Sequence, residues 1–135
     1  MSIPLILEDG LYQYLLAQTT ITALVGPSGI FMNTVTENAH DPAICFSKIS
    51  SQPDSTNDGP SGLNFRRYQF ESYSSSFVKC LQVDAAVRIA LDGFSGFLPN
   101  GQRVYNIMRD NEIDGFDDIS GNSRTITDYF IHFAE

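Results

Sequence analysis

The stretch from Ser76 to Leu91 constrains this chain more than any other, because its periodicity predicts a helix that is apolar on two sides. At about 100° per residue, Cys80, Val83, Val87, Ala90 and Leu91 share one side. Val78, Leu81, Ala85 and Ile89 share another. Asp84 and Arg88 fall between them, in the acid-first i,i+4 order that favours an ion pair. Only Lys79, Gln82 and Ala86 remain as a solvent-tolerant strip, and Asp92-Gly93-Phe94-Ser95-Gly96 reads as the turn that stops the helix. Such a helix needs two partners. One is the sheet of its own subunit; the other is either more of that subunit or a second copy of the chain.

A length of 135 residues suits one domain, 1–135, with one substantial core. Hydrophobic residues at 42% argue against wholesale disorder. No run of about 18 apolar residues exists, so no membrane span is expected, and Met1-Ser2-Ile3-Pro4-Leu5 lacks the basic start of a secretory signal. The chain is therefore expected to remain in the cytoplasm where it is made. Sixteen acids against eight bases give a net charge of −8, with no basic patch to grip a phosphate backbone.

Along the chain, a helix is read over about residues 5–18 from Leu7, Leu11, Tyr14 and Leu15. Gly10 weakens it by about 1 kcal/mol relative to Ala. Thr20 is the expected cap of a short second helix from Ile21 to Val25, ended by Gly26-Pro27. Strands are expected at Ile30–Asn33, Ala43–Ile49, Leu63–Tyr73, Gln102–Ile107 and Arg124–Phe133. From Ser50 to Gly62 the chain is almost wholly Ser, Asp, Asn, Pro and Gly, which reads as a long flexible loop. Strands in pairs rather than in βα alternation point to an α+β fold: a largely antiparallel or mixed sheet with two main helices on one face.

The chemistry is sparse. No GxSxG elbow, phosphate loop or dinucleotide fingerprint occurs. His132 sits in an alternating strand with Phe130 and Ala134, as a packed or edge-exposed histidine does. Cys45 and Cys80 lie in apolar surroundings, with neither His40 nor His132 at ligand spacing, so both read as structural thiols rather than zinc ligands. Starting a calcium loop at Asp110 places Glu112 and Asp114 at positions three and five, but position twelve is Gly121 where a bidentate Glu belongs. The acidic stretch 110–118 is expected to be a solvated turn between strands. No catalytic residue, metal or cofactor is expected.

Several segments together carry a resemblance. Leu11-Tyr12-Gln13-Tyr14-Leu15 followed by Ile21-Thr22-Ala23-Leu24-Val25-Gly26 is similar to the opening of the phage tail-terminator or tail-completion family of long-tailed phages. Pro42-Ala43-Ile44-Cys45-Phe46, the strand Phe65 to Ser74, and Ala85 through Leu91-Asp92-Gly93-Phe94-Ser95-Gly96 resemble its later elements in order and spacing. The chain departs from the pattern in its longer, serine-rich loop and in Ile131-His132-Phe133, where an aromatic pair is usual.

The resemblance implies a structural virion protein rather than an enzyme. Members form rings, typically hexamers, at the head-proximal end of the tail, end tail-tube polymerisation and join tail to head. Implied partners are further copies of the chain, the tail tube protein and a head-completion or connector protein, with DNA passing through the lumen unbound and no membrane involved. Expected locations are the virion, and the host cytoplasm during assembly. On this reading the candidate subunit-interface residues are Val78, Leu81, Asp84, Ala85, Arg88 and Ile89. Asp54, Asp58, Asp110, Glu112 and Asp114 are candidates for the lumen or a partner-facing loop. The alternatives are a head-side neck or connector protein, a stand-alone module that adds a peptide to a sheet edge, and a small hydrolase or metal enzyme.

Overall fold

The computed structural model describes residues 5–33, 41–56, 59–117 and 121–134, with 52–56, 59–63 and 117 as backbone alone. The elements run α1 (Leu7–Leu16), α2 (Thr19–Val25), β1 (Ile30–Met32), β2 (Ala43–Thr56), β3 (Gly59–Ser74), α3 (Phe77–Leu91), β4 (Gly96–Phe97), β5 (Arg103–Asp117) and β6 (Asn122–Ala134). The strands make one sheet in the order β1-β2-β3-β6-β5-β4. β1 and β2 are parallel and every other pair is antiparallel. This is the expected α+β arrangement, with the short α2 added to the two main helices.

Alternation decides which face is covered. On β6, Thr125, Thr127, Tyr129, Ile131 and Phe133 are buried, while Ile126, Asp128, Phe130 and His132 point the other way and are half-exposed. The buried set joins Phe46, Tyr68 and Phe70 from β2 and β3, Val104 and Ile107 from β5, and Leu7, Leu11 and Leu15 from α1 in one core. Val83, Val87 and Leu91 bring α3 onto the same face. Phe70 packs edge-on to Tyr129 at 5.4 Å and stacks on Phe46 at 5.1 Å, geometries that add to area burial.

α3 begins at Ser76, whose Oγ accepts from the Lys79 amide at 3.4 Å. Its end is fixed by the turn. The Gly93 amide donates to the Ile107 carbonyl at 2.8 Å, with Gly93 at φ +82°, and Asp92 Oδ1 accepts from the Arg109 amide at 3.1 Å. Phe94 then packs on the Tyr14 ring at 4.7 Å, and the Tyr14 hydroxyl donates to the Ala90 carbonyl at 2.7 Å. One short motif thus ties α3 to both β5 and α1.

Three expectations are corrected. Gln18, not Thr20, takes the cap position of α2, and Thr22 Oγ1 turns back to the Gln18 carbonyl at 3.3 Å. The polar stretch 50–62, expected as a loop, mostly continues β2 and β3 as a hairpin, with Gln52 opposite Phe65 and Thr56 opposite Gly59; 57–58 lie outside the described residues. β1 pairs with β2 only at Ile44–Phe46, so Pro53 lies on a stretch of β2 that pairs with β3 alone, next to a register shift, as prolines in strands usually do. The acidic stretch is likewise strand, not turn: β5 runs to Asp117, with Ile113 opposite Ile126 and Phe116 opposite Ser123. Partner strands override the local preference of polar residues for turns.

Gly10 also has a use beyond helix propensity. A Cβ built there lies 2.5 Å from Asn100 Oδ1 and 2.9 Å from Leu98 Cδ1, while Asn100 Nδ2 donates to the Ile6 carbonyl at 3.0 Å. Gly10→Ala is therefore expected to lower stability by about 1–2 kcal/mol in urea unfolding, despite the gain of about 1 kcal/mol in helix propensity. A stabilised variant would show that the α1 approach to the 98–100 turn is loose.

Candidate assembly surfaces

The two sides of α3 have different fates. Cys80, Val83, Val87 and Leu91 are buried against the sheet, with Cys80 Sγ donating to the Ser72 carbonyl at 3.0 Å. Ala86 and Ala90 pack against the core on the side of α1 and α2. The remaining flank is bare: Ile89 is 79% exposed, Val78 63%, Phe77 46% and Leu81 38%, with Ala85 half-buried beside them. Phe77 belongs to this flank, but periodicity alone leaves it at the helix start. Arg88 lies along the same flank, and neither it nor Lys79 has an ion pair within 4 Å among the described residues.

Asp84 is the main correction among the expected interface residues. It is only 4% exposed and turns into the protein, where Oδ1 accepts from Thr127 Oγ1 at 2.8 Å. No salt bridge to Arg88 forms. Burial, the hydrogen bond with the facing Glu112 carboxyl and the charge of that group push Asp84 up to about 7, against the weaker pull of Thr127 and Arg88. A buried carboxyl that holds its proton more tightly than usual thus joins α3 to β6 and β5. Sequence spacing misplaced Asp84 because on the helix it sits midway between the two apolar stripes.

The acidic candidates separate in the same way. Glu112 and Asp114 lie on the helix-covered side of β5, where Asp114 Oδ1 accepts from Thr125 Oγ1 at 2.9 Å. Asp110 reaches the opposite face and pairs with Arg67 at 3.4 Å. Asp54 is on β2, with its side chain outside the description, and Asp58 lies outside the described residues. These carboxylates therefore form no single cluster among the described residues. His40 also lies outside them, and among them no group of three or more His, Cys, Asp or Glu could hold a metal.

The face of the sheet away from the helices is the second surface. β2 bulges at Ile49 and β5 at Asp110-Asn111, and bulges increase local bend and twist. Between them lies an open hollow of about 180 Å³, lined by Ile49, Arg67, Gln69, Asn111, Ile113, Ile126 and Asp128. Ile49 and Ile113 are half-exposed or more. Arg67 at its floor is held by the Asp128 carboxylate and covers the Phe130 ring at 5.4 Å. His132, further along this face, stacks on Phe65 at 4.2 Å with Tyr105 at 5.4 Å, the packed histidine that the alternation suggests.

Cys45 and Cys80 are both free and buried, and burial raises both thiols, Cys45 to about 11. No helix among the described residues is long and apolar enough to cross a membrane.

The family described as "Tail completion protein gp17" matches residues 9–130, which takes in every element from α1 to most of β6. The chain belongs to the tail completion protein gp17 family. It is accordingly a structural protein of the phage tail, located in the virion. No curated protein matches it by sequence. Its fold is similar to that of a chain in the virion of a native gene transfer agent particle, at 16% identity and a TM-score of 0.80, covering 96% of this chain and 95% of that one.

Proposed function

We propose that this tail completion protein forms a closed ring at the head-proximal end of the tail, ends polymerisation of the tail tube and offers the surface that joins tail to head. The observation that carries the reading is the bare flank of α3. Three large aliphatic side chains, Val78, Leu81 and Ile89, stand in solvent on a helix whose opposite side is fully packed. Covering what is still exposed of these three side chains is worth on the order of 3–5 kcal/mol per contact, which favours an interface between copies. Contacts of this kind that repeat around a rotation axis close a ring, and six copies is the number the family resemblance implies.

The charge supports the same reading. With −8 per copy and no basic patch in the sequence, a ring of these subunits would present phosphate with a repulsive lumen, so DNA passes without being held. The tail tube protein and a head-side connector protein are the partners on the two rims. Phage particles assembled without this chain are expected to carry overlong tails that are not attached to heads when seen by electron microscopy. Tails of normal length joined to heads would sink the terminator reading.

A further inference from the structure

We propose that the first half of α3, Phe77 to Asp84, loosens from the sheet between two fixed ends when Asp84 and Glu112 are both charged, and is held closed when they share a proton. The two halves of the helix are held by different means. Val87 and Leu91 sit in the apolar core, the Tyr14 hydroxyl donates to the Ala90 carbonyl at 2.7 Å, and Asp92 and Gly93 fasten the following turn to β5. The entrance is fixed as well, because Asp41 Oδ1 accepts from Ser74 Oγ at 2.8 Å and from the Ser75 amide at 3.1 Å. Between these ends the first half has one apolar anchor, Val83, while Phe77, Val78 and Leu81 are exposed. Its other contacts with the sheet are polar. Cys80 Sγ reaches the Ser72 carbonyl at 3.0 Å and Thr125 Oγ1 at 3.3 Å, and Asp84 Oδ1 accepts from the Thr127 hydroxyl at 2.8 Å.

The charges around this seam make a proton its fastener. Asp84 is 4% exposed, and among the described residues no cation stands within 4 Å of it. β5 brings Glu112 and Asp114, both exposed, with Asp114 Oδ1 accepting from Thr125 Oγ1 at 2.9 Å. β6 brings Thr125, Thr127 and Tyr129, none of them a cation, and α3 itself brings Cys80 and the more distant charge of Arg88. Arg109 and Asp92 lie beyond the seam, toward Tyr129. With one proton between them, Asp84 and Glu112 are joined by a hydrogen bond; with none, two like charges meet at the edge of the core and repel. Glu112 is exposed, so that proton has a route to water. Val78 and Leu81 belong to the half that loosens and Ile89 to the half that stays, so closing the seam also completes the exposed flank as one ridge. The device does not depend on what covers that flank.

The test is hydrogen exchange of the full-length protein between about pH 5 and pH 8.5, read by mass spectrometry that resolves amides 81–84 from amides 88–91. After correction for intrinsic exchange, protection of 81–84 is expected to fall at least about tenfold over that range and to end well below that of 88–91. In Asp84→Asn protein the same amides should keep their protection. Cys80, 0% exposed beneath this segment, gives a second reading that needs no variant. At pH 8.5 its alkylation by N-ethylmaleimide should be insensitive to low urea, because a local opening exposes little surface. Equal protection of the two halves at every pH would show that the helix opens only with the whole fold, and would overturn the proposal. Protection of 81–84 that stays constant with pH in the natural protein, or that falls equally in Asp84→Asn protein, would overturn it too.

Discussion

Replacing Ile89 by Asp, together with Leu81→Ser, is expected to abolish assembly while leaving the isolated subunit folded. Ile89 is 79% exposed, so its replacement opens no cavity, whereas Leu81 is 38% exposed and loses part of its packing, so subunit stability should fall by about 1–2 kcal/mol without unfolding. In an assembly the same positions are covered. Each contact then loses about 1.5–3 kcal/mol of apolar burial and must also desolvate a carboxylate. That is roughly a hundredfold or more per contact, and a closed ring loses it at every junction. Thermal melts followed by circular dichroism and sedimentation at high concentration separate the two effects. An assembled double variant would show that the α3 flank is not the contact surface.

The second large effect concerns pH. Unfolded, Asp84 releases its proton near its ordinary value of 3.8; folded, it keeps the proton until about 7. Between those values the folded state binds more protons than the unfolded one, so its stability falls as pH rises through the window and is level above it. That stabilisation is fully present below about pH 4 and lost by about pH 7, and because Asp84 titrates together with Glu112 it amounts to a few kcal/mol at most. Asp84→Asn keeps an acceptor for Thr127 Oγ1 and offers an N–H to Glu112, without the titration. The variant should therefore exceed the natural protein in urea resistance at pH 8 by a few kcal/mol and lose that advantage by pH 4. An advantage that does not change with pH would mean that Asp84 is not held neutral by its site. Because Asp84 also anchors α3 to Thr127, the pH dependence of subunit stability and that of assembly can be compared on the same variant.

Period-based reading succeeds where one face of an element must be dry. Leu7, Leu11 and Leu15 on α1, the alternation of β6, and the two sides of α3 all follow from the requirement to bury one stripe or one face, and all appear in the fold as expected. Leu-Asp-Gly-Phe was legible as a stop signal because Gly93 takes a positive φ that few other residues accept. What escaped was set by neighbours distant in sequence. The serine-rich hairpin and the acidic end of β5 are strands because a partner ladder runs beside them, and nothing in their own composition says so. The hollow on the outer face escaped for the same reason. Ile49, Ile113 and Ile126 come from three strands, and only the two bulges and the register bring them together. Asp84 shows the remaining gap: spacing gave its angular position on the helix, while its partners Thr127 and Glu112 lie 43 and 28 residues away in the chain.

In the ring proposed above, the second apolar side of α3 is made for a neighbouring copy of the same chain. Electron cryomicroscopy of intact virions tests it most directly, because it places each subunit and shows what covers each face. The expected map has this chain in a closed ring at the head-proximal end of the tail, with Val78, Leu81 and Ile89 covered by the adjacent copy. A ring in which those three side chains face solvent, or a tail whose terminus contains a single copy of the chain, would contradict it.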